Sequence, residues 1–166
     1  LKKSDAKIGI YSKIDSISIS NFKIWSFLFN DVIKAESITI DQPKVILYKK
    51  DTKAINNSKS LRTEVLDPFH KIIVVPNIYI NKGSLAIIST QNNQPILSTQ
   101  NISTVIEGIF IDDTTLNNKI PFSYDNYVLN CDSLYYKPNE FYTIKASEIR
   151  TNNHSLQIKD FSYLPE

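Results

Sequence analysis

Few residues in this 166-residue chain can do chemistry, and their spacing limits what that chemistry could be. The two histidines, His70 and His154, lie far apart, and neither sits in a ligand-spaced pair with a cysteine or carboxylate. Cys131 is the single cysteine and lacks a metal partner at useful spacing. Asp112-Asp113 is a conceivable carboxylate site for a cation. In a strand, however, neighbouring side chains point to opposite faces, and Thr114, Thr115 and Asn117 continue the pair as a polar turn. Three glycines, Gly9, Gly83 and Gly108, cannot build a phosphate-cradling loop, and the Gly-x-Ser-x-Gly turn of a serine nucleophile is missing. Carbohydrate cleavage would need two carboxylates facing each other across a cleft, and no pair is spaced for it. Sequons at Asn56, Asn101 and Asn153 are expected by chance in a chain rich in Asn and Ser. The residues therefore predict no catalytic site, no metal and no cofactor.

Tyrosine is the one unusual side-chain signal. Tyr124, Tyr127, Tyr135, Tyr136 and Tyr142 crowd one region together with Phe122 and Phe141. Such a group is either an aromatic binding face or cross-strand pairing that stabilises a sheet, and strands favour these residues in any case.

The elements that would position any site read as strands. Period-two alternation is clearest in Ile17 to Ser20, Ile38 to Asp41, Ile78 to Asn81 and Leu156 to Lys159, the pattern of a sheet with one wet and one dry face. Pro43 and Gly83 follow two of these runs and precede Val45 to Tyr48 and Leu85 to Ser89, which predicts two hairpins. The expected strands are Glu36 to Asp41, Lys44 to Tyr48, Asn77 to Asn81 and Ser84 to Ser89, with others at Lys7 to Ser12, Ile96 to Thr99, Ser103 to Ile111, Phe122 to Asn130, Ser133 to Lys137 and Phe141 to Ile149. Short turns rich in Asn, Asp and Ser favour an antiparallel meander. Helices are expected at Phe22 to Phe29, with Trp25 buried or semi-buried against the sheet among Phe22, Leu28 and Phe29, and at Ser60 to Leu66. Asp51 to Lys59 reads as a mobile loop. The stretches AESITIDQPKVILYKK and VPNIYINKGSLAIIST echo one another, and RTNNHSLQIKDFSYLP repeats part of the plan.

Composition sets the outer bounds. The chain fits one all-β domain over residues 1–166, and its hydrophobic fraction of 42% is that of a globular protein. A net charge of +2 is too small and too dispersed for a nucleic-acid surface, although Lys2, Lys3, Lys7, Lys13, Lys44, Lys49 and Lys50 make the first third basic. Apolar runs such as Ile72 to Val75 fall far short of the ~20 residues of a spanning helix. There is no methionine, so Leu1 is not read as a translation start. The chain is expected to be a piece of a larger exported or membrane-anchored protein.

The run SISISNFKIWSFLFNDVIKAESITIDQPKVILYKKD, Ser16 to Asp51, resembles the N-terminal repeat unit of AsmA-like proteins of the bacterial envelope: a strand, a short apolar helical segment, a strand, a proline and a returning strand. IYINKGSLAII looks like the second unit. FYTIKASEIRTNNHSLQIKDFSYLP is similar both to later strands of that family and to lipopolysaccharide-transport β-groove modules. The resemblance implies an N-terminal helix anchored in the inner membrane, a periplasmic location, and a curled sheet whose apolar groove carries phospholipid or another acyl-chain lipid without catalysis. Lipid transport or outer-membrane assembly follows as the expected role. The lipid-binding face would be drawn from Ile17, Ile19, Ile38, Ile40, Val45, Leu47, Ile78, Ile80, Leu85, Ile87, Leu156 and Ile158. A structural or adhesive β-sandwich would show the same alternation with its apolar faces closed inside, so the exposed apolar area separates the two.

Overall fold

The computed structural model describes residues 8–49, 72–112, 115 and 122–165. The expected helix at Ser60 to Leu66 and the loop Asp51 to Lys59 lie outside the described residues. In chain order the elements are β1 (Ile8–Lys13), β2 (Ser16–Ser20), α1 (Ile24–Asn30), β3 (Val32–Lys34), β4 (Ser37–Asp41), β5 (Lys44–Lys49), β6 (Ile72–Ser89), β7 (Pro95–Ile111), β8 (Asn126–Tyr136), β9 (Tyr142–Asn152), β10 (Leu156–Lys159) and β11 (Ser162–Pro165). The fold is all-β: all these strands join one curled sheet that does not close into a barrel.

The expected antiparallel meander is corrected in one place. β3, β4 and β5 all run parallel to β6, with Val32 opposite Ile72, Ile38 opposite Ile78 and Lys44 opposite Ser84. A parallel neighbour needs a connection of a dozen or more residues, and residues 50–71 separate β5 from β6. The echo seen in the sequence thereby lies against itself, since AESITIDQPK and VPNIYINKGS face each other residue for residue. On its other edge the β3 to β5 ribbon is met antiparallel by β2 on β4 and by β1 on β5. β7, β8 and β9 then add antiparallel, and β10 and β11 close the order along β9.

Pro43 and Gly83 are not reversals, as the two expected hairpins required. β6 runs straight through Gly83, and Pro43 joins two strands that continue in one direction. What the breakers mark is a bend. Gln42, Lys82, Asn101, Ser133 and Asp160 all adopt left-handed backbone, with φ of 50, 53, 50, 54 and 47°. They fall at nearly the same level of successive ribbons, and the pairing register is the same on both sides of them: Ile80 faces Thr104 and Leu85 faces Thr99, while Asp132 faces Glu148 and Leu134 faces Ala146. Bulges bend a strand, and when each ribbon bends at one level the sheet creases along a line crossing the strands. Polar side chains staple this crease. Ser16 Oγ and Asn81 Nδ2 donate to the Asp41 carboxylate at 3.0 and 2.9 Å, Asn101 Nδ2 to Asp132 at 3.0 Å, and Ser147 Oγ to Asp160 at 2.6 Å.

A second irregular level lies at Asn21, Pro76 and Gly108. Pro76 stands level with the gap between β3 and β4, where its missing amide proton breaks no ladder bond. Gly108, at φ +69°, leaves room for Asp125, whose Oδ2 would lie 2.1 Å from an added Cβ.

Candidate functional site

Residues directly opposite each other in paired strands share a face, so the pairing register assembles the site row by row. One row spans the sheet as Ile17, Ile40, Ile80, Thr104, Leu129, Thr151 and Leu156. Beside it run Ile19, Ile38, Ile78, Ile106 and Tyr127, and Cys131, Ile149 and Ile158. Past the crease, Leu85 stands between Val45 and Thr99, and a second full row reads Ile10, Leu47, Ile87, Leu97, Tyr136, Ile144 and Tyr163.

Strict alternation would put Ile80 and Leu85 on opposite faces. The left-handed Lys82 inserts the extra residue that restores them to one face. The geometry at Gly83 demonstrates it: a Cβ there would lie 3.4 Å from Ile80 Cγ2, 3.4 Å from Ile102 Cβ and 3.2 Å from Pro43 Cγ. Gly83 therefore points to the same side as Ile80, and Leu85 alternates back onto that side. All twelve residues expected from sequence fall in these rows, on one face. Sequence reasoning missed Ile10, Ile106, Leu129, Tyr136, Ile144, Ile149 and Tyr163, which occupy the same rows. Alternation in Tyr127, Leu129 and Cys131 was visible, but nothing local specified which of their two faces joins Ile80.

Burial marks this face as the inside of the curl. Gly83, Thr99, Thr104, Cys131 and Ala146 are buried, all small and close to the crease, where the two wings of the sheet approach most closely. Thr99 and Thr104 satisfy their hydroxyls on the Asp132 and Val128 carbonyls at 2.9 and 2.7 Å, so the floor presents methyl groups. Larger Ile and Leu side chains stand half-buried on either wing. Among the described residues no second layer covers them: every strand belongs to this one sheet, and α1 packs against β3. Exposure is greatest at the two edges, 55% at Ile17 and 62% at Leu156. The described residues thus form an open trough and not a closed sandwich. With seven ribbons about 4.8 Å apart, the trough is roughly 30 Å long across the strands. The opposite face is mixed, carrying Ser18, Thr39, Tyr79, Val105 and Val128 in one row.

The polar candidates are taken up by structure. Asp112 and Thr115 bond reciprocally: the Asp112 amide donates to Thr115 Oγ1 at 2.9 Å, and the Thr115 amide donates to Asp112 Oδ1 at 2.8 Å. His154 lies in a turn where its amide donates to Asn152 Oδ1 at 2.8 Å. Asp41 is held below the ordinary carboxylate range by the hydrogen bonds from Asn81 and then Ser16. Glu148 is lowered mainly by the Lys159 ammonium at 2.6 Å, with Arg150 adding to it against partial desolvation. His70 and Asp113 lie outside the described residues.

The expected aromatic face divides. Phe122, Tyr124 and Tyr127 contact one another at 6.1 and 5.9 Å near one end of β8. Tyr142 stacks on Tyr163 at 4.8 Å, at the far edge of the sheet. Tyr135 points away from the trough, in the row of Ile46 and Ala86. The expectation that Trp25 is core is overturned. It is 68% exposed, because α1 is one short helix resting on β3 with, among the described residues, no layer outside it.

Comparison with protein-family models and with curated proteins finds no match for this chain.

Proposed function

We propose that this chain is a non-catalytic module that carries acyl-chain lipid along an apolar β-groove. The observation that carries the reading is the continuous face whose central row runs from Ile17 to Leu156, aliphatic at five of its seven positions with threonine at the other two, and uncovered among the described residues. Soluble monomers rarely leave a contiguous apolar patch of more than a few hundred Å² facing water, so a face of this extent implies something that covers it. Its form favours a chain-like ligand. The trough is open at both sheet edges and roughly 30 Å long, about twice the ~15 Å that one leaflet's acyl chains occupy in a bilayer core. Buried Thr methyls and aliphatic side chains give such a chain contact along its length, while a headgroup stays in water above the rim.

The resemblance of Ser16 to Asp51 to AsmA-like proteins extends this proposal to place and partner. It puts the module in the bacterial periplasm, held at the inner membrane by an N-terminal anchor, working in lipid transport or outer-membrane assembly. Native mass spectrometry after mild extraction from cells tests the core of the proposal. Phospholipid retained at a defined stoichiometry is expected. A protein that emerges lipid-free and takes up no fluorescent phospholipid would overturn it.

A further inference from the structure

Helix α1 inverts the pattern of a surface helix. Such helices turn polar residues outward and apolar ones toward the sheet. Here Ile24, Trp25, Leu28 and Phe29 are 45, 68, 58 and 73% exposed, while Ser26 and Phe27 are the less exposed residues. Trp25 and Phe29 stack on each other at 5.7 Å, forming one rigid aromatic tip. No charged residue occurs within Ile24–Asn30. The basic residues stand at its foot: the Lys23 amide donates to the Lys34 carbonyl at 2.9 Å, and both lysines line a recess of about 310 Å³ with Asn21, Glu36 and Pro76. An aromatic tip backed by lysines is the distribution of groups across a membrane interface, where rings sit at headgroup level and lysines reach the phosphates. Trp25, Leu28 and Phe29 also form an i, i+3, i+4 stripe of the kind a protein groove accepts, and the lysines at its foot are what favour a lipid surface.

Its place in the fold adds the second reason. α1 follows the edge strand β2, whose Ile17 and Ile19 are 55 and 49% exposed, and packs on β3, so it stands on the sheet edge where the trough opens. We infer that α1 is a wedge that seats this mouth of the trough on the headgroup region of a lipid bilayer, so that acyl chains pass between the bilayer and the rows begun by Ile17 and Ile19. Passage rests on the lipid-carrying reading above; seating on the bilayer does not.

Trp25 is the single tryptophan, so its emission reports the wedge alone. The full chain is mixed with vesicles of phosphatidylcholine, and separately with vesicles containing phosphatidylglycerol. A blue shift of Trp25 emission and quenching by brominated acyl chains are expected with both. Replacing Trp25→Ser and Phe29→Ser together should lower vesicle partitioning by roughly a hundredfold in flotation, since two apolar side chains no longer leave water. Circular dichroism and the urea midpoint should be unchanged, because both side chains are exposed. No shift with either vesicle would overturn the inference. So would partitioning that survives the double substitution yet is abolished by salt, which would assign binding to the lysines. A shift that grows with protein concentration without vesicles, accompanied by dimers in sedimentation, would assign the tip to a second copy and also overturn it. Uptake of fluorescent phospholipid from detergent micelles is measured in parallel. Uptake without seating refutes the wedge alone, and seating without uptake refutes the groove alone.

Discussion

Ile80→Asp puts the open trough to its hardest test. Ile80 lies mid-sheet in β6, half-buried, between Ile40 and Thr104. Full burial of an isoleucine side chain stabilises by about 1.5–3 kcal/mol, so losing a half-buried one costs about 1 kcal/mol, to which partial desolvation of the aspartate adds. That is small beside the ~5–15 kcal/mol that holds a typical domain together. The cost to the ligand is larger. An acyl chain crossing this position lays about four methylenes against Ile80 and its neighbours, at about 0.8 kcal/mol each, and none of that contact survives beside a hydrated carboxylate. A loss of about 3 kcal/mol is roughly a hundredfold in affinity. Thr39→Asp provides the control: it adds the same charge next to Ile40 but on the opposite face, level with Ser18 and Tyr79. Titration of a fluorescent phospholipid should show the hundredfold loss for Ile80→Asp and no change for Thr39→Asp, with strand-like circular dichroism in both. Cooperative unfolding of Ile80→Asp under native conditions would show that the face is closed core. Equal affinities in both variants would place any lipid elsewhere.

Two further outcomes test the scaffold. Gly108→Ala should destabilise by about 1–2 kcal/mol for the left-handed backbone alone, and by more because its Cβ meets Asp125; a urea midpoint equal to that of the unsubstituted chain would refute the assigned conformation. Glu148 has its folded-state pKa lowered below the ordinary value of 4.5, so its contribution is present above that pH and lost as pH falls through the lowered value. The stability difference between the unsubstituted chain and Glu148→Gln should therefore shrink in urea titrations below pH 4.5, and a difference that stays constant there would show that Lys159 and Arg150 contribute nothing through this carboxylate.

Both carboxylate clusters sit away from the trough rows, one at the crease and one between β9 and β10. Their roles are structural in the same sense: they fasten neighbouring ribbons where backbone pairing is interrupted or ends. Gln42, Lys82 and Ser133 occupy a backbone region that costs non-glycine residues about 1–2 kcal/mol. The crease is therefore maintained against local preference, and the hydrogen bonds across Ser16, Asp41 and Asn81 help offset that cost.

The sequence by itself determined the strand content, since alternation of Ile with Ser, Thr, Asp and Asn is a local property that either face of any sheet can satisfy. It also determined which residues would share a face within each short run, because side chains in a strand alternate with period two. The levels at which strands would be interrupted were legible too, at Pro43 and Gly83. What those interruptions do was not, because a turn and a bulge draw on the same residues and differ only in whether the chain next meets its own strand or a distant one. Tertiary structure decided that Gln42 and Lys82 bend neighbouring ribbons together, that β3 to β5 lie parallel to β6, and that Ile80 and Leu85 end up on one side. It also decided that Trp25 faces outward. Burial of a short helix depends on whether a second layer exists to receive it, and only the pairing of all the strands into one sheet shows that, among the described residues, none does.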